Sequence, residues 1–388
     1  MSEWKEYALG DLLQYEQPTA YIVSSTDYSD SYKTPVLTAG KSFILGYTNE
    51  EQGIYDTLPV IIFDDFTTAS QYVNFKFKVK SSAMKILSAN AELVLPKFIF
   101  YRMQIINFDA STHKRYWIQH YSKIKVKIPP LATQECIVSR IEELFSQLDA
   151  SVNELKTAKE RLKVYRQAVL KEAFDSALQD NPPMMPIEKL LTTERKGMST
   201  GPFGTMIKKH EHQATGVPML GIENIGDGKF IDGNKIFVTL EKAEELKSFN
   251  LLAGDIIISR SGTVGELCAV PKRMEGSLLS TNLMRVSLNS DIICSDYFIY
   301  LFQSKGVVLD QVKELCKGST RVFLNQTILK QIMFPVPDIS KQEAIIEVIE
   351  SRMSVCDSIE RTVNTALQQA EALRQSILKE AFEGGIIQ

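Results

Sequence analysis

Seven cations, Lys97, Arg102, Lys114, Arg115, Lys123, Lys125 and Lys127, occupy one stretch against a single acid, Asp109, interleaved with Tyr101, His113, Tyr116, Trp117, His120 and Tyr121. Ammonium and guanidinium groups at this density neutralise backbone phosphates, and arginine also reads base edges in a major groove, so the chemistry indicated is nucleic-acid binding. Lys123, Lys125 and Lys127 alternate with Ile124, Val126 and Ile128, which fits the solvent face of a strand equally well. Arg102, Lys114 and Arg115 are therefore the sharper DNA candidates. Farther along, Lys208, Lys209 and His210 follow a glycine-rich loop, a placement that offers backbone amides and cations to a phosphate, although a solvated loop has the same composition.

Catalytic chemistry finds little support. The chain has no Gly-x-x-x-x-Gly-Lys-Ser/Thr loop to cradle a nucleotide, and none of its four histidines pairs with a cysteine or carboxylate in a recognisable spacing, which leaves metal and nucleophilic chemistry without support. Asn181-Pro182-Pro183-Met184 resembles the tetrad with which amino-methyltransferases grip a flipped adenine, but Met holds the stacking position and a helical pattern precedes it. It reads as a helix stop and linker. Gly226-Asp227-Gly228 reads as a turn. The adjacent acids Asp64 and Asp65 lie in a strand-like run, where neighbours point to opposite faces and cannot share an ion. Five scattered cysteines without a Cys-x-x-Cys pair fit reduced, mostly buried thiols.

The elements that must position these residues follow from an internal repeat. Arg166 to Phe174 reads Arg-Gln-Ala-Val-Leu-Lys-Glu-Ala-Phe, and Arg374 to Phe382 reads Arg-Gln-Ser-Ile-Leu-Lys-Glu-Ala-Phe. At the same offset Gln134-Glu135 matches Gln342-Glu343, Asp149 matches Asp357, and Pro129 matches Pro337. Ile137, Ile141, Leu144, Leu148, Val152, Leu155, Leu162, Tyr165 and Val169 recur three or four apart, the stripe of an amphipathic helix, as do Ile345, Ile349, Cys356, Val363, Ala370, Leu373 and Ile377. Prolines ahead of each stripe mark its start. Each helix should run about 45 residues, too long to hide its stripe against one small domain, and the economical packing is antiparallel, helix on helix, as in a coiled coil. A head precedes each helix, with strand-like runs at Val60–Phe63 and Asp255–Ser259.

In this setting several stretches resemble the specificity subunit of type I restriction-modification enzymes, over essentially the whole chain. Gly201-Pro202-Phe203-Gly204, the run Leu252-Ala253-Gly254-Asp255 through Gly262-Thr263-Val264-Gly265, and Gly318-Ser319-Thr320-Arg321 look like target-recognition signatures. Ile128-Pro129-Pro130-Leu131 with Gln134-Glu135, and Pro335-Val336-Pro337 with Gln342-Glu343, look like junctions into spacer helices. The first head carries Ala39-Gly40-Lys41, Leu45-Gly46-Tyr47-Thr48 and Ile61-Ile62-Phe63-Asp64-Asp65 instead, a second variety of the same domain.

The resemblance implies an α+β fold: two α/β target-recognition domains separated by two long antiparallel helices, a pseudo-two-fold internal repeat. The expected division is 1–130 and 181–335 for the recognition domains, 131–180 and 336–388 for the spacers. It also implies that each domain reads half of a bipartite sequence in double-stranded DNA, with Lys41, Arg260 and Arg321 joining Arg102, Lys114, Arg115, Lys208 and Lys209 as contacts. Arg260 and Arg321 fit equally as structural arginines pairing a carboxylate such as Asp255. Gln134, Glu135, Arg166, Gln167, Gln342, Glu343, Arg374 and Gln375 are the expected partner interface, facing two modification (methyltransferase) subunits, with restriction subunits joining later. This chain should bind no cofactor; S-adenosylmethionine would belong to the modification subunit, ATP and magnesium to the restriction subunit. The competing reading is a coiled-coil scaffold indifferent to DNA sequence. A formal net charge of −3 decides neither, since a local basic face suffices for DNA. No apolar run approaches the ~20 residues of a membrane span, and residues 1–11 lack the order of a secretory leader, so a cytoplasmic protein is expected.

Overall fold

The computed structural model describes residues 4–38, 42–109, 115–204, 206–262, 264–315, 324–383 and 385. Packing divides the chain into two units, Met1–Lys156 with Asn364–Gln388, and Thr157–Val363. Each long helix is shared between both units, because its apolar stripe buries against whichever head lies beside it.

Unit one begins with β1 (Lys5–Ala8), α1 (Leu9–Leu12) and β2 (Leu13–Glu16), followed by β3 (Thr34–Leu37), β4 (Ile44–Thr48), β5 (Val60–Asp64), β6 (Ser70–Val73), β7 (Lys78–Val79) and β8 (Met84–Ala89). A four-stranded antiparallel sheet has the order β2-β8-β5-β6, and a three-stranded sheet the order β4-β3-β7. Central β5 reads Val-Ile-Ile-Phe-Asp and is buried at every position, as a strand covered on both faces must be. Its period-two alternation divides two cores: Ile61 and Phe63 face Phe98, Trp117, Ile137 and Ile141, while Val60 and Ile62 face Leu37, Phe77 and Met84. Helix α2 (Pro96–Met103) starts on a proline, and β9 (Lys125–Ile128) pairs with β1. In β9 the lysines point out and Val126 and Ile128 point in, so Lys125 and Lys127 are the solvent face of a strand. Helix α3 (Leu131–Leu178) starts directly after Pro129-Pro130, and its 48 residues extend about 72 Å.

Unit two repeats the plan. Past α3, Asn181 takes a positive φ of 48° and β10 (Met184–Pro186) follows, so the Asn-Pro-Pro-Met tetrad ends a helix and opens a strand. Next come β11 (Met198–Thr200), β12 (Val217–Leu220), β13 (Ile225–Gly226), β14 (Lys229–Phe230), β15 (Ile236–Val238), α4 (Leu240–Glu245), β16 (Ile256–Ser259), β17 (Leu267–Ala269), β18 (Leu278–Leu279) and β19 (Leu283–Val286). Helices α5 (Ser295–Gln303), α6 (Val308–Leu315) and α7 (Gln326–Gln331) lead to β20 (Met333–Pro335), which pairs with β10, and to α8 (Ile339–Glu383). The main sheet has the order β11-β19-β16-β17 and the smaller one β15-β12-β18. Here too the central strand divides two cores, Ile256 and Ile258 facing Phe298, Phe302 and Phe334, Ile257 facing Leu220, Leu251 and Cys268.

Within unit two, Arg166 meets Asp357 at 2.7 Å and Glu360 at 2.9 Å, Glu172 meets Arg352 at 2.6 Å, and Asp180 meets Lys341 at 3.2 Å. Contacts that rise along α3 fall along α8, so the two run antiparallel. In unit one Arg374 pairs with Asp149 and lies 4.3 Å over the Phe145 ring. The repeat therefore builds one ion pair twice, Arg166 with Asp357 and Arg374 with Asp149.

Candidate nucleic-acid interface

Four segments of unit two converge at one end of its main sheet. Arg260, directly after β16, donates its amide to Asn282 O at 3.0 Å and receives the Leu324 amide at 3.0 Å. Its guanidinium, half-buried, reaches Leu324 O at 3.4 Å and Thr281 O at 3.3 Å. On the other flank Gly201 donates its amide to Leu283 O at 3.0 Å, and any Cβ there would lie 1.8 Å from Ser280 O. The signature glycine is thus required by close approach of two backbones.

The same joint exists in unit one with different side chains. Asp65, directly after β5, receives the Tyr116 amide at 3.0 Å on its carbonyl and the Trp117 amide at 2.8 Å on its carboxylate. Buried Lys85 balances that carboxylate at 3.4 Å. Asp64 caps the following turn, accepting from Phe66 N at 2.9 Å and Thr67 Oγ1 at 2.7 Å. Both acids are committed to structure, and among the described residues no group of three or more His, Cys, Asp or Glu is placed to hold a metal ion.

Of the expected DNA contacts, Lys41, Lys114 and Arg321 lie outside the described residues. Arg115 is exposed and immediately precedes the Tyr116 joint, while Lys208 and Lys209 are exposed and follow buried Ile207. Arg102 is half-buried at the end of α2 with its guanidinium 5.6 Å from the Phe382 ring centre, and burial lowers its pKa. That cation braces a helix end. Arg260 pairs with backbone carbonyls rather than with Asp255, which Arg195 holds at 3.3 Å; burial lowers the Arg260 pKa as well. Sequence reasoning missed Phe203, 77% exposed on the Gly201 loop. Its signal was an aromatic between two glycines ahead of a basic run.

A family model described as the type I restriction modification DNA specificity domain matches residues 1–160 and 203–369. The chain belongs to the type I restriction-modification specificity-subunit family. It is 32% identical to the type I restriction enzyme EcoR124I/EcoR124II specificity subunit of Escherichia coli, over 96% of this chain and 91% of the relative. It is 25% identical to the StySPI specificity subunit of Salmonella potsdam over 77% of this chain and 66% of that one. A solved chain, from work on complex assembly and conformational transition of the type I R-M system, superimposes with a TM-score of 0.67 over 98% of both chains at 16% identity. The specificity subunit is a non-catalytic, DNA-recognising component, which favours recognition over the bare scaffold.

The expected partner residues of this specificity subunit divide by burial. Gln134 and Gln342 are fully buried and are corrected: each latches its own head to its own helix. Gln134 Oε1 accepts from Leu95 N at 2.8 Å, and its Nε2 donates to Leu93 O at 2.9 Å and Pro129 O at 2.8 Å. Gln342 repeats this with Cys294 N, Ile292 O and Pro337 O. Arg166 and Arg374, both partly exposed, are engaged in the helix-pair ion contacts. Gln167 is half-buried, with Oε1 lacking a hydrogen-bond partner. Glu135, Glu343 and Gln375 are exposed. Among the described residues no helix is long and apolar enough to cross a membrane.

Proposed function

We propose that each unit reads one half of a bipartite target in double-stranded DNA, and that the long helices set the spacing between halves and dock two modification subunits. One observation carries the reading: the backbone joint at the sheet end is repeated, Tyr116 to Asp65 and Leu324 to Arg260, while the side chains around it differ. A common frame presenting unlike surfaces suits one protein that recognises two unlike sequences. Helix length supports a spacing role, since about 72 Å exceeds two turns of duplex at about 34 Å each.

In the complete assembly the modification subunits would methylate an adenine in each half, using S-adenosylmethionine, and restriction subunits would add ATP- and magnesium-dependent translocation and cleavage, all in the cytoplasm. This chain's own residues supply binding and orientation. Mapping methylated adenines across the host genome with and without the gene tests the reading: a bipartite motif that vanishes with the gene is expected. Inserting a few helical residues between Leu148 and Leu162 should alter the tolerated gap and leave both half-sequences unchanged. Changed half-sequences would overturn the division of labour.

A further inference from the structure

The repeated architecture builds one groove twice, and among the described residues a hairpin of the chain reaches into only one copy. In unit two it lies between α5 and the long-helix segments, with Tyr300 and Gln303 on one side and Arg166 and Asp357 on the other, a space of 500 Å³. In unit one Tyr101 and Gln104 face Arg374 and Asp149 across 760 Å³. The glutamine latches fix this correspondence, since the residues just ahead of α2 and α5, Leu95 and Cys294, bond to the repeat-related Gln134 and Gln342. Tyr101 and Tyr300 are each the sixth residue of their helix.

The occupant of the second copy is the hairpin β13–β14. Its Gly228 has φ +78°, and a Cβ there would fall 2.9 Å from the Gln303 carboxamide, so the turn lies directly on the groove wall. Lys229 donates from Nζ to Asp357 Oδ2 at 2.7 Å, while Arg166 holds Oδ1 at 2.7 Å. Asp357 thus faces two cations. Asp149, its counterpart, is paired with Arg374, and among the described residues no lysine of unit one reaches it as Lys229 reaches Asp357.

Charge separates the two copies further. Around the second, Lys163, Arg166 and Lys229 balance Asp227, Asp357 and Glu360. Around the first, Glu142, Asp149 and Glu371 face Arg374, and the nearby Lys97 is bound to Glu142. At the position where the repeat gives unit two Lys163, unit one has Glu371. The first groove is therefore the larger and carries an excess of negative charge.

We propose that the unit-one groove is the seat for a lysine side chain carried on a turn of a partner polypeptide, seated as Lys229 is seated in unit two. The inference rests on the proposed assembly with modification subunits. It implies an asymmetry: a modification subunit docking on unit one gains a contact that unit two fills from its own chain.

Carbodiimide coupling, which joins a carboxylate to a neighbouring amine as an amide, tests this on the full chain purified with its modification subunits. Peptide mass spectrometry should find Asp149 or Glu371 joined to a modification-subunit lysine, with Asp357 joined to Lys229 and Glu142 joined to Lys97 as internal standards. A second arm uses Glu371→Lys, which places a cation where unit two already tolerates Lys163. Assembly should weaken by about tenfold, the order of one partly desolvated charge contact, while the melting temperature holds and Glu371→Gln loses less. Joining of Asp149 or Glu371 to a lysine of this chain or of a second copy would overturn the proposal, as would standards that form without any groove product, or unchanged assembly of Glu371→Lys. Loss of sequence-specific DNA binding by the wild-type complex would instead sink the functional reading itself.

Discussion

Replacing Gln342 by leucine should unfold unit two at markedly milder conditions, although the residue sits on a junction that looks made for docking. Leucine keeps most of the volume and removes three hydrogen bonds, to Cys294 N at 2.8 Å, Ile292 O at 2.9 Å and Pro337 O at 2.8 Å. Each buried group left unpaired costs about 1–3 kcal/mol, the lower figure applying to carbonyls that can turn toward another donor. The sum is about 3–5 kcal/mol, a large share of the 5–15 kcal/mol typical of a folded domain. For a domain of this size each kcal/mol moves the melting point by about 2–4 °C, so a fall of roughly 10 °C is expected. Calorimetry gives the shift, and hydrogen exchange should show the Cys294 amide losing protection. Glu343→Ala, exposed next door, should stay within about 0.5 kcal/mol. A Gln342→Leu protein that melts like wild type yet fails to assemble with its partners would refute the latch and restore a docking role.

Three further outcomes follow from the same geometry. Gly201→Ala forces a Cβ to within 1.8 Å of a backbone oxygen, whereas Gly204 has nothing within 4 Å; differential scanning should show the first strongly destabilised and the second nearly unchanged. Phe203→Ala, at an exposed ring, should leave melting unchanged and narrow the gap between specific and non-specific duplexes in a gel shift by about 1–3 kcal/mol; equal loss on both duplexes would count against base contact. Lys229, then Arg166, hold the Asp357 carboxyl below its ordinary pKa, so their contribution is present above the usual carboxylate range and lost as pH falls through the lowered value. Melting of Lys229→Met should accordingly show a shallower decline on acidification than wild type.

The repeat was legible because its residues have the same work to do twice. Arg166 and Arg374 recur with Asp357 and Asp149 since each arginine needs its carboxylate, but that pairing is a matter of antiparallel register, which one dimension does not display. The latches carry a readable sign: Gln134 stands three residues before Ile137, and Gln342 three before Ile345, so both glutamines lie on the apolar stripe and point inward. The Arg102 contact with Phe382 was not legible for a related reason, since basic density along the chain says nothing of which cation a helix end turns toward an aromatic ring. The two-core heads were visible as apolar runs at Val60–Phe63 and Ile256–Ile258, and their sheet order was not.

Comparing the two joints shows how such a protein can change what it reads without changing how it folds. Tyr116 and Leu324 return to the end of the central strand through one amide-to-carbonyl bond each, 3.0 Å in both units, and a backbone bond is indifferent to side-chain identity. The position it anchors holds a carboxylate in one head, neutralised by buried Lys85, and a guanidinium in the other, held by the carbonyls of Thr281 and Leu324. Opposite charges are thus accommodated on one frame because each head supplies its own local partner. Side chains beside the joint, Arg115 in one unit and Phe203 on the Gly201 loop in the other, take no part in that backbone bond, whereas the buried glutamines and cross-helix arginines hold the frame through their side chains.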